Sequence, residues 1–233
     1  MDKFFFEKIL DLIFPPKCGF CGEITKSEHF ICEDCHDLST QKYINRCNFC
    51  GKMSSVGKCS ECMEKTLYYE KLIFCSEYTE GFRQKIHLYK FLDKKYLYHF
   101  FTELLYERVK NEEFDLIIPV PISRERYKER GYNQSGLIAK KLSKMLDKPY
   151  CGDALVKIKN SERQSMQSFK DRQKSVKNVF EIADILEVNG KSILLIDDIF
   201  TTGATANECS KVLKGAGAKN VKVGVICVSH TLK

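Results

Sequence analysis

Two adjacent carboxylates, Asp197 and Asp198, follow an unbroken apolar run, Ile193 to Ile196. They precede a loop of small and hydroxyl residues, Thr201-Thr202-Gly203-Ala204-Thr205. The run reads as a strand buried on both faces, as in a parallel sheet. The loop leads into a helix expected from about Ala206 to Lys214. The end of such a strand is where open α/β sheets bind ligands. A helix N-terminus offers free N–H groups and a dipole that favours phosphate. Gly203 lets the backbone approach closely, and three threonine hydroxyls can donate to phosphate oxygens. The carboxylates stand where they can hold ribose hydroxyls or orient a hydrated Mg²⁺. A carboxylate pair for acid–base work is the poorer reading, since neighbours on a strand point to opposite faces.

A second set of chemistry-bearing residues lies near the start. Of 12 cysteines, eight form four CxxC pairs in the first 62 residues: Cys18/Cys21, Cys32/Cys35, Cys47/Cys50 and Cys59/Cys62. Each CxxC puts two thiolates on one turn, and two such turns supply a tetrahedral Cys₄ site of the kind Zn²⁺ prefers. Gly22 and Gly51, each following a CxxC, allow positive φ, so that backbone N–H groups can turn toward sulfur. Two structural Zn²⁺ ions are expected. The simplest pairing is sequential, with Cys18, Cys21, Cys32 and Cys35 on one ion and Cys47, Cys50, Cys59 and Cys62 on the other. Spacing alone leaves an interleaved pairing open. Few core residues accompany these cysteines, so metal should supply most of the stability of this region. On that view, losing either site leaves the C-terminal ligand site intact.

The elements that must position these groups can be read from apolar periodicity. Hydrophobic residues make up 43% of 233 residues, enough for one sizeable domain and a small one. Residues 2–14 read as a short amphipathic helix stopped by Pro15-Pro16. Leu72–Tyr78, Phe114–Pro119, Leu155–Ile158 and Val221–Val228 read as strands. Phe82–Phe91, Tyr96–Val109 and a stretch from Gly131 to about Leu146 read as helices. Residues 160–178 are polar and basic and read as a mobile loop. No run reaches the length of a membrane span, and no secretory apolar region with a cleavage site is present. A reducing cytoplasmic location is expected.

The formal charge is +7. It belongs to one segment, because residues 124–178 carry 15 Lys/Arg against 6 Asp/Glu. An anionic partner is expected there. The aromatic residues Tyr127, Tyr132, Tyr150 and Phe169 are interleaved with these cations. That mixture suits single-stranded DNA, with Lys170, Arg172, Lys174 and Lys177 as phosphate contacts.

The stretch Lys191–Glu208 resembles the PRPP (5-phosphoribosyl 1-diphosphate) motif of type I phosphoribosyltransferases. With PVPIS at residues 119–123, RERYKERGYNQ at 124–134 and the cysteine pairs in front, nearly the whole chain resembles the ComF family of competence proteins. The resemblance implies an α/β fold with a mostly parallel sheet flanked by helices. A helix and double zinc ribbon, residues 1–66, would precede a phosphoribosyltransferase-like domain, residues 67–233. It also implies PRPP as ligand with Mg²⁺. Asp197 and Asp198 would serve the ribose, and Thr201, Thr202, Gly203, Ala204 and Thr205 the 5′-phosphate. Arg124, Arg130, Arg163 and Arg172 would serve the pyrophosphate. The family's loop pattern is kept at Gln164, Arg172, Val176 and Phe180 and departs at Gln167, Ser175 and Val179. Two readings follow: a phosphoribosyl transfer to an unidentified acceptor, or a single-stranded-DNA-binding accessory protein whose PRPP site is a sensor or a fixed structural element. Both place the protein in natural transformation, with other competence proteins as partners.

Overall fold

A computed structural model describes residues 15–25, 29–40, 43–92, 94–158 and 178–230. The amphipathic stretch 2–14 and nearly all of the loop 160–178 lie outside them.

The two cysteine modules come first. Each begins with a knuckle closed by an antiparallel bridge, Lys17 to Ile24 in one and Arg46 to Met53 in the other. Gly22 and Gly51 take φ of +89° and +76° just after their CxxC pairs, as their position demands. The second pair of each module does not form a hairpin. Cys32 and Cys59 are instead the N-caps of short helical turns, Glu33–Cys35 and α2 (Ser60–Met63); α1 (Asp37–Thr40) follows the first of these.

The remaining elements are β1 (Lys71–Glu77), α3 (Glu80–Phe91), α4 (Leu97–Val109), β2 (Leu116–Pro119), α5 (Arg124–Arg130), α6 (Gln134–Leu146), β3 (Leu155–Lys157), β4 (Phe180–Ile182), β5 (Ser192–Phe200), α7 (Ala204–Gly215) and β6 (Asn220–Val228). β1, β6, β5 and β2 form a parallel sheet in that order. The segment around Tyr150 extends it by a parallel bridge to Ile117. β3 and β4 form a separate antiparallel pair.

The expected α/β architecture is therefore present. Among the elements after the cysteine modules, two escaped the periodicity reading because they are short. α5 is a seven-residue polar helix, started by Ser123, whose Oγ accepts from the Arg126 amide, and stopped by Gly131 at φ +75°. β4 has three residues and needs β3 as its partner.

Alternation along the buried strands divides the core between two faces. Ile73, Cys75, Leu194, Ile196 and Ile226 pack under α3, α4 and α6. Leu72, Phe74, Ile193, Leu195, Val223 and Val225 pack under α7 and the β3–β4 pair.

The cysteine modules borrow these same cores, one on each face. Phe20 of the first sits 5.4 Å from the Phe82 ring, and the Phe30 amide donates to the Glu103 carboxylate at 2.9 Å. In the second, Phe49 and Cys50 pack on the opposite core, and the Leu72 amide donates to the Asn48 carbonyl at 2.7 Å. The two modules thus straddle β1, which would otherwise be an open sheet edge.

Candidate functional site

β5 runs four residues further than the apolar run, through both carboxylates to Phe200. Its parallel partner β6 is paired alongside, Asp197 opposite Val225 and Phe200 opposite Val228. Gly203, at φ +77°, caps α7, which starts two residues earlier than expected. A Cβ at position 203 would lie 2.4 Å from the Phe200 ring, so the glycine is required by packing as well as by φ. Thr202 Oγ1 accepts from the Ala204 amide at 3.2 Å. The amides of Thr205 and Ala206 lie in the first turn, where no intrahelical partner exists. Asp197, Thr201, Gly203, Ala204 and Thr205 line one narrow crevice of about 20 Å³.

The two carboxylates are held differently. Asp197 Oδ1 accepts from Ser135 Oγ of α6 at 3.1 Å and from the Asp198 amide at 2.8 Å. Burial, then the neighbouring Asp198 charge, pushes its carboxyl up to about 7, against these bonds and Lys90. Asp198 instead pairs with Lys90 of α3 at 2.8 Å.

Arg130 closes α5 beside this pair. Its guanidinium stacks on Phe91 at 4.8 Å and interacts electrostatically with Asp198. Burial and the nearby Arg126 charge lower its proton affinity. The segment that follows is bent back by hydrogen bonds. Asn133 Nδ2 donates to the Val120 carbonyl at 3.0 Å, and the Tyr89 hydroxyl donates to the Gln134 carbonyl at 2.9 Å. Buried side-chain atoms remain without a hydrogen-bond partner among the described residues: Arg130 Nε, Asn133 Oδ1 and both polar atoms of Gln134. Such orphans are rare in folded proteins and call for a ligand or ordered water.

Arg124 lies apart, at the exposed start of α5. It lines a cavity of about 870 Å³ together with Lys95, Tyr127, Tyr150, Lys157 and the edge of β3. Burial, then Arg126, lowers the proton affinity of Lys157 there.

The cysteines fall into two groups, Cys18/Cys21/Cys32/Cys35 and Cys47/Cys50/Cys59/Cys62, with the sulfurs of each group within 4.8 Å of one another. The sequential pairing is the one the fold brings together. Cys21 and Cys32 sulfurs are 3.5 Å apart, and Cys50 and Cys59 sulfurs 3.6 Å. Tetrahedral Zn–S bonds of about 2.3 Å set sulfurs about 3.8 Å apart, so both groups fit the ion. Burial opposes ionisation of Cys18 and Cys47, yet backbone N–H groups aimed at their sulfurs outweigh it and hold both down at about 7.

Comparison with known proteins agrees with this geometry. Residues 9–86 match the model of the double zinc ribbon domain, and residues 132–231 that of the phosphoribosyl transferase domain. Competence protein ComFC of Streptococcus pneumoniae is 30% identical over 224 residues, covering 88% of this chain and 97% of that one. The chain belongs to the ComF family of competence proteins. Competence protein F of Haemophilus influenzae is 29% identical, covering 89% of this chain and 94% of that one. DNA utilization protein YhgH of Escherichia coli K12 is 25% identical, covering 90% and 89%.

In this ComF chain the structure gathers Asp197, Asp198, residues 201–205 and Arg130 into one region and sets Arg124 in the neighbouring cavity. Arg163, Lys170, Arg172, Lys174 and Lys177 lie outside the described residues. Two site residues carried no motif. Lys90 sits in an ordinary amphipathic helix pattern, and Ser135 is one hydroxyl at a helix start. One expectation changes. Tyr132 is only 8% exposed, with its hydroxyl donating to the Tyr89 carbonyl, so it is a core residue and not a base-stacking surface. Tyr127, at 54%, stays available.

Proposed function

We propose that this protein binds PRPP with Mg²⁺ at the end of β5 and acts in the cytoplasm on incoming DNA. Residues 1–66 serve as a zinc-stabilised module and residues 67–233 as the ligand-binding unit. The observation that carries the reading is the placement of Asp197 and Asp198 at the C-terminal end of a parallel strand, directly before the Gly203-capped α7. The ribose hydroxyls take the carboxylates, and the 5′-phosphate takes the amides and hydroxyls of residues 201–205. Arg130 and Arg124 face the pyrophosphate, joined by Arg163 and Arg172.

Asp198 suits a hydrated cation, because it already holds the Lys90 ammonium. Mg²⁺ bound with PRPP would neutralise pyrophosphate charge as it leaves. The chain's own contribution is positioning, charge complementarity and water exclusion. The acceptor is unidentified.

Joint replacement Asp197→Asn and Asp198→Asn should weaken PRPP binding at least about tenfold by calorimetry while zinc content stays unchanged. Equal affinity would remove the assignment. Pyrophosphate release measured with PRPP, Mg²⁺ and a panel of bases, amines and DNA separates turnover from binding alone.

The second reading, single-stranded DNA binding, is favoured by the rim of the 870 Å³ cavity, where exposed Tyr127 stands among Lys95, Arg124 and Lys140. The names of the relatives, competence and DNA utilization proteins, support DNA uptake as the setting and other competence proteins as partners.

A further inference from the structure

Asp198 is faced by two cations from two different elements, Lys90 from the last turn of α3 and Arg130 from the end of α5. The Lys90 ammonium lies 2.8 Å from Oδ1 and 2.8 Å from Oδ2 of the carboxylate. Both partners are mostly shielded, with side-chain exposures of 17% and 15%. Their surroundings differ in stiffness. Arg130 is stacked on Phe91, the residue after Lys90, with its Nε unpartnered. Lys90 carries its charge on a flexible four-carbon stem with three rotatable donors. One carboxylate cannot satisfy both cations once its oxygens are given to ribose hydroxyls. The freed ammonium then needs an anion within reach of its stem, and PRPP brings one on the same ribose.

We propose that Lys90 is an exchanging cation, which neutralises Asp198 in the free protein and transfers to the pyrophosphate group when a phosphoribosyl diphosphate binds, forming a clamp with Arg130. The clamp rests on the PRPP reading of the site and adds a residue that reading did not contain. Lys90 is a ligand-binding residue here, and no covalent bond to it is made or broken.

Calorimetry on the full chain with Mg²⁺ and three probes tests it: PRPP, ribose 5-phosphate and inorganic pyrophosphate. Lys90→Met should weaken pyrophosphate and PRPP at least about tenfold, the scale of a lost charge-assisted hydrogen bond, and leave ribose 5-phosphate no weaker. Asp198→Asn should tighten pyrophosphate about threefold or more by releasing Lys90. The double variant should bind pyrophosphate as weakly as Lys90→Met. That variant is charge-balanced, so it keeps the test open if Lys90→Met does not fold; zinc content and the thermal midpoint report folding.

If Lys90→Met weakens ribose 5-phosphate as much as pyrophosphate, Lys90 only orients Asp198 and the clamp is wrong. Unchanged pyrophosphate affinity in Lys90→Met overturns the clamp alone. Wild-type protein that binds neither PRPP nor ribose 5-phosphate overturns the site reading and the clamp with it.

Discussion

Asn207, in the first turn of α7, accepts from the Tyr68 amide at 2.9 Å and donates to the Thr66 carbonyl at 3.0 Å. Residues 66–68 follow directly on Cys59 and Cys62, so the second cysteine module is tied to the helix that the phosphate-type loop opens. A parallel route runs through side chains. The Tyr69 hydroxyl donates to the Phe49 carbonyl at 2.6 Å, the Tyr69 ring meets Phe200 edge-on at 6.4 Å, and Phe200 lies against Gly203. Among the described residues the first module shows no such link; it packs on α3 and α4 at the other face.

The modules therefore differ in what they touch, which sets the second apart from the expectation that losing either site spares the ligand site. Cys50→Ser should weaken PRPP binding, whereas Cys21→Ser should lower stability with a much smaller effect on PRPP. Asn207→Ala should cost about 1–3 kcal/mol through two lost backbone partners, or about 2–4 °C of thermal midpoint per kcal/mol in a chain of this size. Titration calorimetry beside thermal melts checks all three. Equal losses of PRPP affinity in Cys21→Ser and Cys50→Ser would contradict the coupling.

Zinc content with thiol reactivity tests the pairing directly. Protein purified without added metal should hold roughly two equivalents of Zn²⁺. Because the sulfurs group sequentially, Cys21→Ser should lose about one equivalent and keep the other. In that singly loaded protein Cys32 and Cys35 should react freely with a thiol reagent while Cys47, Cys50, Cys59 and Cys62 stay protected; protected Cys32 and Cys35 is the result an interleaved pairing gives.

Asp197 should make stability depend on pH. Its carboxyl lies among Asp198, Lys90 and Ser135, with the charge of Lys157 also acting on the same pocket and the buried Cys209 thiol held neutral beside it. Its proton is held up to about 7 instead of the ordinary 3.8. A raised acid contributes stability that is fully present below the ordinary value and lost as pH rises through the folded one. Wild-type protein should therefore lose midpoint between pH 4 and pH 7 from this group, by an amount on the order of a few kcal/mol. Asp197→Asn should flatten that slope and melt higher at pH 7.5 while binding PRPP less well. A variant that melts lower at pH 7.5 with an unchanged slope would show that the carboxylate is not the strained group.

DNA binding separates by salt. If residues 124–178 neutralise phosphates, log affinity for a labelled oligonucleotide should fall linearly with log salt, by about 0.7 per contact on single strands. Replacing Lys170, Arg172, Lys174 and Lys177 together by Gln should flatten that line and weaken unrelated sequences alike. PRPP with Mg²⁺ should loosen DNA, since both anions compete for the same cations, and DNA must loosen PRPP by the same factor. Fluorescence anisotropy that shows no binding of micromolar protein at low salt removes the nucleic-acid reading.

The residues legible from sequence were those whose chemistry is local. A CxxC turn, a Gly at positive φ, four apolar residues in a row and a Thr-Gly loop before a helix each depend on neighbours within a few positions. The metal modules, the parallel sheet and the acidic pair could therefore be read in order. What only the tertiary structure decided were contacts between distant segments. Lys90 meets Asp198 across 108 positions, and Asn207 meets Tyr68 across 139. The two cysteine modules take opposite faces of β1 because each needs an apolar surface that its own few residues cannot supply. Tyr132 looked like a surface ring beside cations until the turn at Gly131 carried it under α3. Periodicity tells which side of an element is apolar, but which elements then share that side is set by the order of strands in the sheet, and a single sequence does not carry that order.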